Sequence, residues 1–358
     1  MTSSFWKGRR VFLTGHTGFK GAWAATWLVA MGARVTGFAH APETDPNLWS
    51  LLGLAEVDDV EADLNDRAAL DVALHRADPE VVLHLAAQAL VRRSYRDPVE
   101  TFATNVLGTV NLLDAARACK NLRAIVVATS DKAYENVEQI WGYRESDPMG
   151  GRDPYSASKG ACEIATSAMA KSFFAPCANG GHPARVATVR AGNVIGGGDW
   201  SEDRLVPDIV RGCLGPQGSL TLRAPGSIRP WQHVLEPIRG YLMVAERLAA
   251  GDDAAASGWN FGPEPADERA VIEVAQAMVK TLGKGRILIE ESAANPHEAR
   301  LLRLDCARAR AELGWVPALH FDESVAMTAG WYADWAAGRP AVEICREQIA
   351  AYEGKISR

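Results

Sequence analysis

Short apolar runs alternate with longer amphipathic stretches through the first half of the chain. The stretches have helical periodicity, most clearly from Val99 to Lys120 and from Ser156 to Phe174. The runs are rich in β-branched residues and bounded by turn formers, as is typical of buried strands: RVFLTG (10–15), ARVTGFA (33–39), EVVLHLAA (80–87), RAIVVATS (123–130) and RVATVRAGNV (185–194). This alternation predicts βαβ units, and therefore an α/β fold with a doubly wound parallel sheet covered by helices on both faces.

The pattern changes after about residue 190, where Gly and Pro become frequent. We interpret this part as a smaller mixed α/β domain that closes over the strand ends. One more helix is predicted at residues 233–251 and one more strand in WNFGP (259–263), returning to the sheet. The first domain is therefore expected to span residues 1–190 plus about 230–262, and the second about 191–229 plus 263–358. The charged tail from Glu343 to Arg358 is expected to end near the surface.

Composition and charge exclude several classes of protein. The 358 residues include 38 Lys and Arg against 44 Asp and Glu, a mild net charge of −6 that argues against nucleic-acid binding. The six cysteines form no Cys-x-x-Cys pair, so neither a metal site nor a disulfide framework is expected. No apolar run reaches the ~18 residues of a membrane span, and the N-terminus lacks the pattern of a signal peptide. These features predict a cytoplasmic protein without a membrane partner.

A glycine-rich turn follows the first predicted strand and opens a helix. Gly15, Gly18 and Gly21 have the spacing G-x-x-G-x-x-G. Glycines permit a tight turn and let backbone N–H groups approach a pyrophosphate at the helix N-terminus. Many tight turns use glycine, but its position on the first strand of a βαβ unit favours dinucleotide binding and a Rossmann-type sheet.

The choice between NAD and NADP is left open by the second predicted strand. Its end, VTGFAHAP (35–42), carries no Asp or Glu for a ribose 2′-hydroxyl. It also carries no Arg for a 2′-phosphate, since Arg34 lies before the strand. Farther on, Asp63 and Leu64 follow the third strand, as an adenine contact or as an ordinary polar turn.

Polar groups stand at the end of the fifth predicted strand. Thr129, Ser130, Asp131 and Lys132 follow an apolar run directly. They could form a solvated strand-to-loop transition. However, ligands of open α/β sheets bind beyond the carboxyl ends of the strands, so these groups could instead face a reacting molecule.

Tyr155 and Lys159 are four residues apart and therefore share one face of a predicted helix. A phenol has a pKa near ~10, so it is a poor base at neutral pH. A nearby ammonium group stabilises the phenolate and lowers that pKa. The pair could therefore remove a proton from a sugar hydroxyl, although Y-x-x-x-K alone is also common in plain amphipathic helices.

Together, the glycine turn, the Ser130 strand end and the Tyr155–Lys159 pair have the order and spacing of the extended short-chain dehydrogenase/reductase family, which they resemble. The segments HLAAQALVRRSYRDP, TNVLGT, RAGNVIGGGDW, SIRPWQHV and ARLLRLDCARARAELGWVP extend this resemblance over nearly the whole chain. The resemblance implies NAD as cofactor. The cofactor-binding residues that it implies are Gly15, Thr17, Gly18, Phe19, Gly21, Asp63, Leu64, Leu85, Ala86, Ala87, Asn105, Tyr155 and Lys159.

The tripeptide at the fifth strand end indicates the reaction. Family members that dehydrate dTDP-glucose carry Thr-Asp-Glu there, whereas Ser130-Asp131-Lys132, with RPWQHV and TGHTGFKG, resembles the branch that acts on CDP-glucose. The resemblance implies a 4,6-dehydratase in deoxysugar biosynthesis of the lipopolysaccharide type, with Ser130, Asp131, Lys132, Tyr155 and Lys159 as catalytic residues. Asp131 is expected to protonate the departing hydroxyl. Lys132 acts either as a neutral base toward C5 or as a charged group that stabilises an enolate.

Substrate binding is the remaining implication. The resemblance places Gln88, Asn193, Arg229 and Arg300 at the nucleotide sugar, where guanidinium groups suit a diphosphate. Trp231 is expected to shape the pocket, and His84 to be a packed strand histidine. At least a homodimer is expected, with 99–120 and 156–174 of two subunits forming a four-helix bundle; a tetramer is left open.

Two alternatives remain. One is a sugar-nucleotide epimerase or decarboxylase of the same fold; Asp131 and Lys132 argue against the epimerase, because oxidation and re-reduction at C4 need no acid to expel a hydroxyl. A non-catalytic NAD-sensing protein would have no use for the activated phenol of Tyr155. Formation of a 4-keto-6-deoxy sugar from CDP-glucose separates all three.

Overall fold

A computed structural model describes residues 3–176, 181–216, 218–222, 224–289 and 301–357 of the chain. The strands are β1 (Arg10–Thr14), β2 (Arg34–Ala39), β3 (Asp58–Glu61), β4 (Val81–His84), β5 (Ala124–Ala128), β6 (Phe174–Ala175), β7 (His182–Ala191), β8 (Val194–Ile195), β9 (Ser219–Leu222), β10 (Ile228–Arg229), β11 (Gln232–His233), β12 (Gly258–Phe261), β13 (Arg269–Ala270) and β14 (Arg286–Ile289). All five strands predicted in the first half are present.

The α-helices follow the predicted alternation. They are α1 (Ser3–Trp6), α2 (Phe19–Ala30), α3 (Leu48–Leu52), α4 (Arg67–Ala77), α5 (Val91–Arg96), α6 (Pro98–Phe102), α7 (Gly108–Ala116), α8 (Pro154–Phe173), α9 (Leu205–Leu214), α10 (Leu235–Ala249), α11 (Val271–Leu282), α12 (Phe321–Ala336) and α13 (Ala341–Ile356). Segments Ala103–Leu107 and Ala309–Leu313 are π-helical, and Asp131–Ala133, Asp253–Ala255 and Pro265–Asp267 are 3₁₀ turns.

An eight-stranded parallel sheet forms the centre of the molecule. Its order is β12-β7-β5-β4-β1-β2-β3, with β6 paired to the beginning of β7. The strand order reverses between β1 and β4, where Thr14 is in register with His84. In open α/β sheets, this switch point opens the crevice in which ligands bind. The strand predicted in WNFGP is β12, which pairs with β7 and so returns to this sheet.

Both faces of the sheet are apolar because successive side chains of each strand point to opposite sides. On one face, Val11 and Leu13 join a core that includes Trp23 and Trp27 of α2. On the other face, Phe12 joins a second core formed with α4, α7 and α8. The continuous apolar runs of the sequence follow from this two-sided burial.

Two long helices cover the face that carries the second core. The predicted helix Val99–Lys120 consists of α6, a π-helical turn and α7, and it ends at Ala116. The predicted helix Ser156–Phe174 is α8, which begins at Pro154 because the side chain of Asp153 caps it by accepting the N–H of Ser156 at 2.9 Å.

The second half contains smaller sheets. The pairs β8–β11, β10–β13 and β9–β14 each form a two-stranded sheet. The tail from Glu343 lies in α13, which buries Ile344, Ile349 and Tyr352 against α2. None of the helices in the described ranges is both long and apolar enough to cross a membrane.

Candidate active site

The glycine turn after β1 forms a cradle that side chains would fill. Gly15 has a φ of +74°, and a Cβ there would lie 2.6 Å from the backbone nitrogen of Ala86. A Cβ on Gly21 would lie 2.0 Å from the carbonyl oxygen of Gly15. Gly18 precedes α2 without a side-chain cap, which leaves the N–H groups of the first turn, from Phe19 onward, as anion-binding donors. The cradle therefore fits a dinucleotide pyrophosphate.

A histidine–aspartate pair lies beyond the ends of β2 and β3. His40 directly follows β2, and its Nε2 lies 3.4 Å from Oδ1 of Asp63. The hydroxyl of Thr17 donates to the His40 carbonyl at 2.9 Å. Burial acts to raise the pKa of Asp63, but hydrogen bonds from Asn65 and His40 lower it overall. Leu64 is buried, and a Cβ on Gly108 would lie 3.0 Å from its side chain.

The segment after β4 connects the cofactor cradle to α8. Leu85, Ala86 and Ala87 are half-buried there. Asn105 accepts the N–H of Gln88 at 2.8 Å, and its amide nitrogen donates to Oγ of Ser158 on α8 at 2.8 Å.

The side chain of Gln88 is engaged within the protein. Its amide nitrogen donates to the Leu90 carbonyl at 3.1 Å and to the Thr101 hydroxyl at 2.9 Å. Its amide oxygen accepts the N–H of Leu90 at 2.6 Å. The structure therefore places Gln88 next to the cofactor segment as a loop-fixing residue.

His84 is the packed strand histidine that the sequence predicts. It lies between the hydroxyls of Thr14 and Thr109, at 2.6 and 2.9 Å. Burial lowers its pKa to about 3, with a further contribution from Lys159. The ring is therefore neutral.

Tyr155 and Lys159 are buried on one face of α8, with 8% and 4% exposure. The Lys159 ammonium donates to the carbonyl of Ala128 at the end of β5, at 3.3 Å. Burial lowers the pKa of Lys159, and Cys162 and Glu163 oppose this effect. Burial likewise raises the pKa of Tyr155, while a hydrogen bond with Ser130 and the charge of Arg204 act to lower it.

Ser130, Asp131 and Lys132 enter a 3₁₀ turn directly beyond β5. The Ser130 hydroxyl donates to Oδ1 of Asp131 at 3.0 Å and accepts the N–H of Lys132 at 3.2 Å. Asp131 is 2% exposed, and its Oδ2 has no hydrogen-bond partner among the described residues. The turn packs against α8, and Ser130 acts on the pKa of Tyr155, so the turn and α8 meet in one site.

The structure adds three residues that sequence reasoning missed: Lys20, Tyr241 and Arg204. The ammonium of Lys20, within the glycine turn, donates to the Tyr241 hydroxyl of α10 at 3.3 Å. Burial, together with Arg204 and Lys159, lowers the pKa of Lys20 to about 7, and Asp131 opposes the shift. A lysine between Phe19 and Gly21 of a phosphate-binding turn was the available signal for this cluster.

Of the other predicted substrate residues, Arg229 lies in a two-stranded sheet and Asn193 lies in the connection between β7 and β8. Arg229 in β10 is 9% exposed and donates to the carbonyl of Ile228 at 2.9 Å. The carbonyl of Asn193 accepts the N–H of Gln232 at 3.0 Å. Trp231 is buried, and its indole donates to the Arg269 carbonyl at 3.1 Å. Arg300 lies outside the described residues.

Comparison with known proteins supports this arrangement. Residues 12–328 match the profile of the family described as GDP-mannose 4,6 dehydratase. A CDP-glucose 4,6-dehydratase of Salmonella typhimurium is 44% identical over 356 residues, covering 99% of both chains. A dTDP-glucose 4,6-dehydratase of Xanthomonas campestris pv. campestris is 28% identical, covering 89% of this chain and 92% of the relative.

A solved structure has the same fold. The UDP-glucose 4-epimerase of Thermus thermophilus, in complex with NAD, superposes with a TM-score of 0.75. It is 25% identical, and the match covers 90% of this chain and 98% of the epimerase.

Proposed function

Because this chain belongs to the GDP-mannose 4,6 dehydratase family, we propose that it converts CDP-D-glucose to CDP-4-keto-6-deoxy-D-glucose and water. It is an NAD-dependent nucleotide-sugar 4,6-dehydratase, a hydro-lyase with the extended short-chain dehydrogenase/reductase fold. The observation that carries the reaction type is the buried carboxylate of Asp131. Its Oδ2 has no partner among the described residues, and it lies in the turn that meets Tyr155.

The cofactor is NAD, held by the glycine cradle of Gly15, Gly18 and Gly21. When bound, NAD supplies the redox chemistry: it accepts hydrogen with its electron pair from C4 and returns it to C6. The Asp63–His40 pair is assigned to the adenosine end.

Tyr155 removes the proton of O4 while C4 is oxidised to a ketone. The pKa of its phenol is raised by burial, so the groups that lower it determine whether this base works. The Ser130 hydroxyl and the charge of Arg204 lower this pKa. Lys159, one helical turn along α8, is assigned to stabilise the phenolate as well. General acid–base groups of this kind contribute about 10²–10⁴-fold to the rate.

Asp131 and Lys132 carry out the elimination. The C4 ketone acidifies the C5 proton. Lys132 either removes this proton as a neutral amine or, as a cation, stabilises the enolate that forms when the proton leaves. Asp131, protonated, donates to the C6 hydroxyl as the C6–O bond breaks and water departs. After hydrogen returns to C6, C5 regains a proton. The oxidation at C4 is then balanced by the reduction at C6, and the net change in the sugar is the loss of one water.

The nucleotide diphosphate is assigned to Arg229, Asn193 and Arg300. Planar guanidinium groups suit the two charges of a diphosphate. Arg229 is buried at the edge of a small sheet, where its stem is fixed before substrate binds. Trp231 is assigned to the pocket wall.

The oligomer is proposed to be at least a homodimer. Large apolar side chains are exposed on the two helices that would form the bundle, namely Val99 (81%), Leu107 (53%) and Ile164 (63%). Exposed apolar groups of this size on neighbouring helices favour an interface. Pairing of two subunits through these helices would cover them.

The proposed setting is deoxysugar biosynthesis of the lipopolysaccharide type in the cytoplasm. A 4-keto-6-deoxy sugar is an activated precursor of deoxysugars. The five cysteines that the structure describes are free thiols, which suits a reducing compartment.

The test is to incubate the purified enzyme with CDP-glucose and, separately, with dTDP-glucose. A 4-keto-6-deoxy product is expected from CDP-glucose, detected by its base-induced absorbance, and Tyr155→Phe is expected to form none. Equal turnover of dTDP-glucose would contradict the assignment of the nucleotide. A 4-epimer without the keto sugar would contradict the reaction.

A further inference from the structure

A buried ion pair lies behind the catalytic groups without belonging to them. Glu163 of α8 and Arg190 of β7 are each 5% exposed and form a bidentate contact, with N–O distances of 2.7 and 2.8 Å. Burial acts to raise the pKa of Glu163, but Arg190 and hydroxyl donors lower it overall, so the carboxylate is ionised. Glu163 lies one helical turn beyond Lys159, on the face of α8 that carries Tyr155.

This pair is attached to both ends of the catalytic turn. The residue before the turn, Thr129, donates its hydroxyl to Glu163. The residue after it, Tyr134, accepts a hydrogen bond from Arg190 at 2.6 Å and donates to Oδ1 of Asn260 at 2.7 Å. The residues that flank the turn from Ser130 to Ala133 on both sides therefore contact the same ion pair.

We propose that the Glu163–Arg190 pair positions Asp131 and Lys132 for elimination by clamping both ends of their turn. The proposal rests on the function proposed above, and neither member of the pair is placed at the reacting atoms. Elimination requires proton transfers at C5 and C6 that are aligned with the ketone at C4. Displacing catalytic groups by about 1 Å can reduce such steps by roughly 10²-fold.

Oxidation at C4 depends on the turn only through Ser130, because Tyr155 and Lys159 have anchors outside the turn. Tyr155 is held through the bond from its N–H to Ser94 at 3.1 Å, and Lys159 through the carbonyl of Ala128. Removing the hydroxyl of Thr129 or of Tyr134 leaves these contacts in place. Loosening the turn is therefore expected to slow elimination more than C4 oxidation.

A matched control is available on the neighbouring strand. The side chain of Thr188 in β7 also helps to lower the pKa of Glu163, but Thr188 does not adjoin the turn. Thr188→Val and Thr129→Val thus each remove a hydroxyl that acts on the same carboxylate, but only Thr129 adjoins the turn. A merely structural ion pair predicts no selective loss of elimination in either variant.

The kinetic test compares Thr129→Val, Tyr134→Phe and Thr188→Val in single turnovers of CDP-glucose with the full-length enzyme carrying its cofactor. Elimination is expected to slow about tenfold or more in Thr129→Val and Tyr134→Phe, with C4 oxidation within about threefold of wild type. Reduced nicotinamide then accumulates. Thr188→Val is expected to match wild type in both steps. Equal loss in the Thr129 and Thr188 variants, or equal loss of both steps, would overturn the proposal.

A second measurement needs no substrate. Amide hydrogen exchange of the peptide covering residues 130–134 is expected to accelerate in Thr129→Val and Tyr134→Phe but not in Thr188→Val. Unchanged protection would overturn the clamp whatever the reaction is. If exchange responds as expected but the wild type makes no 4-keto sugar, the proposed function fails and the clamp stands. Glu163→Gln would leave Arg190 buried without a counter-charge, so its loss of stability would mask any effect on the turn.

Discussion

The ammonium nitrogen of Lys132 lies 3.9 Å from Oδ1 of Asp131, its neighbour in the 3₁₀ turn that follows β5. The two side chains differ in environment, since Lys132 is 30% exposed and Asp131 is 2% exposed. Both groups are assigned to the elimination, and the lysine is the more accessible of the two. Their substitution should therefore separate elimination from oxidation.

Lys132→Met should stall the reaction after C4 oxidation. Tyr155 and Lys159 remain in place, so the ketone can form, but no amine is left to assist loss of the C5 proton. Overall turnover is expected to fall about 10²–10⁴-fold, with reduced nicotinamide accumulating and slow exchange of the C5 proton with solvent. Stopped-flow absorbance and deuterium incorporation measure the two effects. Near wild-type turnover would place the C5 base elsewhere.

Asp131→Asn should also accumulate reduced nicotinamide, by a different route. The amide keeps the volume of the carboxyl group but cannot protonate the C6 hydroxyl. C5 exchange, measured by deuterium incorporation, should be partly retained because Lys132 is intact, which distinguishes this variant from Lys132→Met. Failure of both variants to form any reduced nicotinamide would instead assign the pair to C4 oxidation or substrate positioning.

Lys20→Met should stabilise the cofactor-free protein. Burial lowers the pKa of Lys20 from 10.5 to about 7, so the unfolded chain binds more protons than the folded chain between these values. Stability should therefore rise with pH from about 7 to about 10.5 in the wild type, and this slope should decrease in the variant.

At pH 7 the melting temperature of Lys20→Met is expected to rise by roughly 2–4 °C for each kcal/mol by which the free energy of unfolding increases. Calorimetry at several pH values measures both effects. Lys7→Met, at an exposed lysine, is the control and should change neither the melting temperature nor its pH dependence. Equal shifts of the melting temperature in the two variants would contradict the inference that burial of the Lys20 ammonium destabilises the fold.

Enzyme stripped of its cofactor should recover activity with NAD+ and little with NADP+. The carboxylate of Asp63, beside His40 at the end of β2, repels a 2′-phosphate. His40→Arg introduces a guanidinium at this position and should raise activation by NADP+ about tenfold, with a smaller change for NAD+. Titration of stripped enzyme with each cofactor measures the ratio. Equal activation of the wild type by NADP+ would refute the expectation.

Ile164→Asp should dissociate the proposed dimer. Ile164 of α8 is 63% exposed in the isolated chain, and a carboxylate there would be buried in the four-helix bundle. Sedimentation at micromolar concentration should show a dimer or tetramer for the wild type and a monomer for the variant. Val72→Asp is the control, because Val72 is 69% exposed on α4, outside the bundle. A monomeric wild type would refute the interface.

The sequence by itself determined the elements and the local motifs. Apolar runs that lie in a sheet covered on both faces have no polar side, so their composition and length indicated the strands. Tyr155 and Lys159 share a face of α8 because the helical period dictates it. The glycine turn could be recognised from the sequence because Gly15 adopts a backbone conformation that other residues rarely adopt.

Only the tertiary structure decided which distant residues share an environment. Lys20 contacts Tyr241 from a position 221 residues away, and Tyr134 meets Asn260 across 126 residues. The charged tail became the packed helix α13 because its apolar stripe meets α2. Periodicity reports only neighbours along one element. Contacts between elements, and the burial that shifts the pKa of Lys20, depend on how the sheet order and the helix packing bring those elements together.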